Sequence, residues 1–163
     1  MNRPTPRQCP PCTACCDGWV AMSINGVEIH PGSPCPHSTG EGCDDYEHRP
    51  VDPCVSFYCG WVLPDSPLPE WMKPQRAKVI VLFDKLRWQG RPVDLAVPVG
   101  RRIPPRALNW LKRFSEQHGR PLLFTEQIVV DGRFQREQQV FCHGPPDFQE
   151  AVQEVLKAGG RLW

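Results

Sequence analysis

The sequence lacks any hydrophobic run long enough to cross a membrane. Its longest uninterrupted apolar run extends from Val79 to Phe83, whereas a membrane-spanning helix needs about 20 residues. The first residues lead directly into a segment rich in cysteine and proline, without the apolar stretch that is typical of a signal peptide. We therefore expect a soluble protein of the cytoplasm that makes no contact with a membrane.

Residues 1–60 contain no leucine and no lysine, and their other large apolar residues are few, so we expect only a meagre hydrophobic core in this part of the chain. A segment of about 60 residues buries only about 60% of its surface even when its core is well packed. Residues 61–163, in contrast, have Leu, Val and Phe at regular spacing. We expect covalent or metal bonds, rather than apolar packing, to hold the first segment in shape.

Short-range signals predict an α+β fold. Asn25-Gly26 supplies the two positive-φ positions of a tight turn, which predicts a β-hairpin formed by Trp19–Ile24 and Val27–His30. A last helix is predicted with Asp147 as its N-cap. The remaining predicted elements are strands over 78–88, 92–99, 122–130 and 133–142, and a helix from Pro104-Pro105 to Gly119.

These elements divide the chain into three parts that we expect to form one compact unit. Residues 1–63 are predicted to be a cysteine-rich module that contains the hairpin, and residues 64–77 a proline-rich connection. Residues 78–163 are predicted to be a body in which two helices pack on a largely antiparallel sheet.

Eight of the nine cysteines lie between Cys9 and Cys59, and Cys142 is the exception. Thiolates bind soft and borderline metals, so this cluster predicts a metal site. A disulfide framework is one alternative, but the odd total and the adjacent pair Cys15-Cys16 fit it poorly. Free or redox-active thiols are another. We favour metal, because one structural zinc site supplies about 10–16 kcal/mol of binding energy coupled to folding.

The spacing of the first cysteines bears on the identity of the metal. The CxxCxxC spacing at 9–15 is similar to the opening of bacterial iron–sulfur loops, whereas zinc sites commonly take two separated CxxC pairs. This favours an iron–sulfur cluster slightly over zinc. The eight thiols also suffice for one cluster plus a zinc ion, for two zinc ions, or for one centre with spare thiols.

Further elements stand in a fixed order around these cysteines: the CxxCxxCC string at 9–16, Cys-Pro at 35–36, Gly-Cys at 42–43, Tyr46 with Arg49-Pro50, and Cys54 with Phe57 and Cys59. In this combination, roughly residues 9–63 resemble the YkgJ-type cysteine-cluster family, described as a zinc- or iron-chelating domain. The resemblance implies eight metal ligands, which would here be Cys9, Cys12, Cys15, Cys16, Cys35, Cys43, Cys54 and Cys59.

Polar residues between the cysteines are candidates for supporting roles. We expect Tyr46 and Arg49 to donate hydrogen bonds to metal-bound thiolates, with an ion pair to a neighbouring acidic residue as the alternative for Arg49. His37 and His48 are candidate replacements for a sulfur ligand, although a loop histidine is more often solvated. Cys142 is expected to be a buried free thiol.

We expect a metal-binding protein that holds an iron–sulfur cluster, zinc or both for structure, metal handling or electron transfer. One alternative is a metal-dependent enzyme or enzyme subunit related to protein lysine N-methylation, since flagellin lysine N-methylase carries a similar cluster. Another is a zinc-stapled adaptor that binds a protein through the loop Pro64–Pro74 and an exposed Trp71. Nucleic acid is not an expected partner, because the sequence pI is only about 7.6.

Overall fold

The computed structural model describes residues 6–160; residues 1–5 and 161–163, at the ends of the predicted module and body, lie outside that range. The elements within it, in chain order, are β1 Met22–Ile24, β2 Val27–Ile29, α1 Pro74–Ala77, β3 Val79–Trp88, β4 Arg91–Pro98, α2 Pro105–His118, β5 Leu122–Val130, β6 Arg133–His143 and α3 Pro146–Lys157. The mixture confirms the α+β fold class. None of the described helices has the length and hydropathy needed to span a membrane.

The first two strands form the predicted hairpin. β1 and β2 pair antiparallel, with Ser23 opposite Glu28. Asn25 and Gly26 both have positive φ, at 51° and 79°, which is the backbone conformation that a two-residue turn between twisted strands requires. The hairpin is shorter than the sequence suggests, because Trp19 belongs to the preceding turn, Cys15–Trp19.

The remaining strands form one sheet in the order β3-β4-β5-β6. β3 pairs antiparallel with β4, and β5 pairs antiparallel with β6, so the four strands predicted in this part of the chain form two hairpins. The central pair, β4 and β5, is parallel. Two parallel neighbours need a crossover connection, and α2 supplies it between these strands.

The two long helices both begin at a proline, and only the start of α2 agrees with the prediction. α2 begins at Pro105 and ends before Gly119, whose φ of 60° gives the left-handed cap. α3 begins at Pro146, one residue before the expected cap, because a proline fits the first helical position without losing a hydrogen bond. The predicted capping role of Asp147 is therefore wrong, and its carboxylate accepts a hydrogen bond from the amide of Phe148 instead.

The main apolar core lies on the four-stranded sheet. Residues Val93–Pro98 of β4 are all buried, and since successive side chains of a strand point to opposite faces, both faces of the sheet are covered there. α2 and α3 contribute buried residues to this core. Residues from outside the sheet and these helices also belong to it, among them Ala14, Cys59, Trp61, Leu68 and Met72.

The connection 64–77 is more deeply packed than its composition predicts. Leu68 and Met72 are 2% and 0% exposed, so this segment anchors itself in the core rather than only crossing the surface. Trp71 is half-buried, and the guanidinium of Arg106 lies 4.1 Å from its ring centroid. The expectation of an exposed Trp71 is therefore wrong, because an arginine of α2 covers part of the indole.

A second, smaller apolar cluster lies under the hairpin. Its buried members are Ile24, Ile29 and Cys35. Met22, Cys16 and Cys54 pack against it as partly buried residues. The cysteine-rich segment thus contacts two separate apolar clusters, one on the sheet and one beneath the hairpin.

Candidate functional site

The eight cysteines of the first segment gather around one cavity. This cavity has a volume of about 620 Å³, and all eight line it: Cys9, Cys12, Cys15, Cys16, Cys35, Cys43, Cys54 and Cys59. They reach it from three stretches of loop and turn that lie far apart in sequence. The chain therefore brings together the whole set of cysteines that the sequence singled out.

These thiols are all unpaired in the described structure. None of the nine cysteines, every one of which falls within residues 6–160, forms a disulfide. Within the same residues, no three Cys, His, Asp or Glu side chains stand close enough together to hold a metal ion as they are placed. The cysteines share a cavity, and a metal would have to draw their sulfur atoms closer.

The first loop is shaped by a turn in which Gly18 comes very close to the hairpin. Gly18 has φ 94°, and a Cβ atom at this position would overlap the carbonyl group of His30. Only glycine fits both the backbone angle and the approach. The turn Cys15–Trp19 therefore lies directly against the end of β2, and it carries Cys15 and Cys16 with it.

Hydrogen bonds join this first loop to the loop 35–43. The amide of Cys35 donates to the carbonyl of Cys16 at 2.8 Å. Asp17 accepts hydrogen bonds from two hydroxyls, that of Thr13 at 2.9 Å and that of Ser38 at 2.7 Å. Ser38 also pairs with Cys43 in an isolated antiparallel bridge, so that Cys16, Cys35 and Cys43 lie on one connected network.

A different set of contacts fixes Cys59. The next residue, Gly60, donates its amide to the carbonyl of Val81 on β3 at 2.6 Å. A Cβ on Gly60 would come within 2.8 Å of both that oxygen and the ring of Phe83. The backbone after Cys59 is therefore held against the edge of the sheet, and the Cys59 side chain is buried in the main core.

The pKa values of several of these thiols are raised, and burial is the largest cause. Burial raises the pKa of Cys15 well above its ordinary value, and the thiols of Cys59, Cys12, Cys16 and Cys9 raise it further. Burial also raises the pKa of Cys16 to about 11, with further contributions from Cys35, Cys54 and Cys43. The Cys15 and Cys16 thiols are therefore protonated at neutral pH, and a metal that bound them would have to displace their protons.

Positive charges and amides act in the opposite direction at three of the cysteines. The pKa of Cys9 is raised mainly by burial, while Lys73 and Arg49 lower it. Burial likewise raises the pKa of Cys54, against the lowering effect of Arg49. The pKa of Cys59 is raised by burial, but hydrogen bonds from the backbone of Val62 and Trp61 favour its thiolate. Amides and cations near sulfur are what a metal-bound thiolate needs around it.

Tyr46 and Arg49, the two predicted supporting residues, both line the cavity. Arg49 donates from Nε to the carbonyl of Tyr46 at 2.9 Å, and its guanidinium lies 3.5 Å from the centroid of the Tyr46 ring. The bonds of Arg49 therefore go to Tyr46 rather than to a neighbouring acidic side chain. Its charge reaches both Cys9 and Cys54.

The predicted alternative ligands lie at the margin of the site. His37 lines the cavity, but its Nδ1 is 2.7 Å from Asp44 Oδ1. His48 is exposed, and its Nδ1 is 2.6 Å from Asp45 Oδ1. Cys142 is only half-buried and lies in β6, away from the other eight cysteines.

Two residues at the site were missed by the sequence analysis. Asp17 joins two cysteine loops by accepting hydrogen bonds from Thr13 and Ser38. Its spacing of four residues from Thr13 could have indicated the first of these bonds. Lys73 donates from Nζ to the carbonyls of Gln8 and Pro10, at 3.2 and 3.3 Å, on either side of Cys9. No signal marked Lys73, because it lies in the distant proline-rich connection.

Comparisons of the chain with family models, with curated proteins and with solved structures gave no match.

Proposed function

We propose that this protein binds a soft or borderline metal through the eight cysteines of residues 9–59, as an iron–sulfur cluster, as zinc or as both. The role of the metal is structural, or it serves metal handling or electron transfer. The observation that carries the proposal is the convergence of eight unpaired thiols on one cavity. The YkgJ-type resemblance points to the same residues.

The donor set around the cavity fits such a metal. Sulfur ligands select zinc, copper(I) and iron–sulfur clusters over the hard cations. The ligands would be Cys9, Cys12, Cys15, Cys16, Cys35, Cys43, Cys54 and Cys59, with Arg49 as a nearby positive charge that offsets part of their negative charge. Bound metal would supply either cross-links between the loops or, as a cluster, a redox centre.

Packing gives a reason why metal is needed here. The second apolar cluster has only three buried members, Ile24, Ile29 and Cys35, so it contributes little to the stability of the cysteine loops. Folded domains are stable by about 5–15 kcal/mol in total, and one structural zinc site contributes about as much. Metal binding is thus sufficient to order loops that apolar burial does not.

The test is elemental analysis of protein purified without oxygen. We expect iron with acid-labile sulfide, zinc, or both, bound in stoichiometric amounts, and a brown colour if a cluster is present. Cys35→Ser should lower the metal content, because Cys35 is buried among the other thiols. Cys142→Ser is the matched control and should leave it unchanged.

Two results would contradict the proposal. One is purified protein that contains no metal and takes up neither zinc nor iron and sulfide on reconstitution. The other is an equal metal content in the Cys35→Ser variant and the wild-type protein.

A second candidate function is catalysis at the metal, and one feature of the cavity favours it. Tyr46, Tyr58 and Lys73 line the cavity together with the cysteines, so groups that bind or transfer protons stand beside the thiols. A catalytic metal needs an open coordination position. Azide added to cobalt-loaded protein should change the cobalt spectrum if such a position exists, and should leave it unchanged if the metal is fully ligated by sulfur.

A further inference from the structure

We propose that the eight cysteines form two separate four-thiolate centres, one from Cys9, Cys12, Cys15 and Cys59 and the other from Cys16, Cys35, Cys43 and Cys54. This inference rests on the proposed function, since it assigns the ligands and the number of metal centres within the same cavity. The adjacent residues Cys15 and Cys16 each belong to a different centre.

The division follows the two apolar clusters. Cys59 is a buried member of the main core on the sheet, and Cys12 and Cys15 pack against that same core. Cys35 is a buried member of the cluster beneath the hairpin, and Cys16 and Cys54 pack against that one. Each of these six cysteines is assigned to one cluster only. Packing therefore separates them into two groups of three.

Backbone contacts place the remaining two cysteines. The amide of Cys12 donates to the carbonyl of Cys9 at 2.8 Å, and Lys73 holds the carbonyls on both sides of Cys9. The ammonium of Lys73 also lies 5.1 Å from the ring centroid of Trp61. Lys73 therefore links the backbone around Cys9 to the main core, to which Cys59 belongs. Cys9 thus completes the first group.

Cys43 completes the second group. The amide of Ser38 donates to the carbonyl of Cys35 at 3.0 Å, and Ser38 pairs with Cys43 across a short antiparallel bridge. Thr39 closes the loop between them, since its amide donates to the carbonyl of Gly42 at 2.9 Å. The loop 35–43 therefore holds both of its cysteines as one unit.

The position of the turn at Cys15-Cys16 explains how one loop contributes cysteines to both groups. The turn Cys15–Trp19 lies between the sheet and the hairpin, with Gly18 against His30 and Ala14 buried in the main core. Consecutive residues there face different clusters. Loading each centre forms four sulfur–metal bonds and releases the protons of those thiols that carried them, with no change of redox state.

Cadmium-113 is a direct probe of this assignment, because its nuclear spin couples through the sulfur to the Cβ protons of each cysteine that binds it. The experiment uses the full chain, loaded with ¹¹³Cd²⁺ and recorded as a proton–cadmium correlation spectrum. We expect two cadmium signals. One should correlate with Cys9, Cys12, Cys15 and Cys59, and the other with Cys16, Cys35, Cys43 and Cys54.

Variants give a second readout of the same assignment. Cys59→Ser should remove the first cadmium signal and keep the second, and Cys54→Ser should do the reverse, so that each variant binds half as much cadmium. Cys142→Ser should keep both signals. The wild-type spectrum decides the question by itself if either variant fails to fold.

The possible failures are distinguishable. A wild-type protein that binds no cadmium overturns the two-centre assignment, and one that also takes up neither zinc nor iron and sulfide overturns the proposed function as well. A single cadmium signal, or one signal that correlates with both Cys54 and Cys59, overturns the two-centre assignment and leaves metal binding by the eight cysteines intact.

Discussion

Gly18 controls how closely the first cysteine loop approaches the hairpin, and its replacement is a test of that approach. Gly18→Ala places a methyl group against the His30 carbonyl at a backbone φ of 94°. Strain of this kind costs about 1–3 kcal/mol, so we expect the free energy of unfolding to fall by that amount. Urea unfolding, followed by circular dichroism, measures it.

Gly42→Ala is the matched control for Gly18. Gly42 also lies in a cysteine loop, but it has no positive φ and no heavy atom within 4 Å of an added Cβ. The control should unfold at nearly the wild-type urea concentration. An equal loss of stability in both variants would show that the Gly18 contact is not what holds the loop.

Asp94 and Arg120 form a buried ion pair whose contribution depends on pH. Asp94 is 2% exposed, and Arg120 Nη2 lies 2.6 Å from its Oδ1. Burial raises the pKa of Asp94, and the hydrogen bonds and charge of Arg120 offset this only in part. The carboxyl therefore binds its proton more readily in the folded than in the unfolded chain. Its contribution to stability is complete below the unfolded pKa of about 3.9 and is lost as pH rises through the folded value.

Arg120→Met should make stability depend more steeply on pH. Without the guanidinium, the pKa of Asp94 rises further, and a buried charge without a partner costs about 3–5 kcal/mol at neutral pH. We expect the loss of unfolding free energy relative to wild type to be larger at pH 8 than at pH 5. The double variant Asp94→Asn/Arg120→Met, which removes both charges, should show a loss that does not increase from pH 5 to pH 8. A pH-independent loss in Arg120→Met would contradict the role of the carboxylate.

At the scale of elements, Trp61 organises the proline-rich connection. Its indole Nε1 donates to the carbonyls of Pro69 and Glu70 at 3.2 Å. The cations of Arg7 and Lys73 lie 4.7 and 5.1 Å from its ring centroid. One buried tryptophan therefore joins the N-terminal segment, the connection and the backbone that follows Cys59.

Trp61→Ala should cost about 3–5 kcal/mol, as buried aromatic truncations do. Trp71→Ala should cost much less, because Trp71 is only half-buried. Amide hydrogen exchange should also become faster for residues 66–73 in Trp61→Ala and stay slow in Trp71→Ala. Equal effects of the two substitutions on stability would contradict the central position of Trp61.

The hairpins and the long helix α2 could be predicted because their signals are local. Asn25-Gly26 and Asp131-Gly132 adopt the positive φ values that their residue types favour, and Gly119 ends α2. The parallel pairing of β4 with β5 was not predicted, since it depends on contacts between residues that are distant in sequence. The start of α3 was predicted incorrectly. The sequence analysis took Asp147 as the N-cap, whereas Pro146 is the first residue of the helix.

At the scale of the whole molecule, the sequence identified the cysteines but not their arrangement. Their residue type and spacing were enough to select all eight cysteines that line the cavity. Their division between two apolar clusters was not visible, because it depends on where Trp61 and the hairpin pack. Arg49 was selected correctly as a residue at the cavity, while its stacking on Tyr46 required coordinates.

Removing one cysteine ligand should destabilise the cysteine-rich segment and leave the sheet stable. In Cys12→Ser we expect amide exchange of residues 9–15, around the first proposed centre, to accelerate at least 10-fold, because the proposed metal would supply most of their stability. Amides of β4 and β5 should stay protected, since these strands lie in the main core.

Cys142→Ser serves again as the control and should exchange as the wild-type protein does. Wild-type protection of residues 9–15 in Cys12→Ser would show that metal is not what orders them.

The cysteine-rich segment also reaches both margins of the sheet. Gly60 occupies the outer edge of β3 through its bond to Val81, and Trp19 packs edge-on against Phe134 of β6, with ring centroids 5.1 Å apart. Uncovered edge strands are templates for pairing with other chains. If the proposed metal centres order this segment, then removing the metal loosens its contacts with both outer strands, and the demetallated chain acquires a route to self-association that the loaded chain does not have.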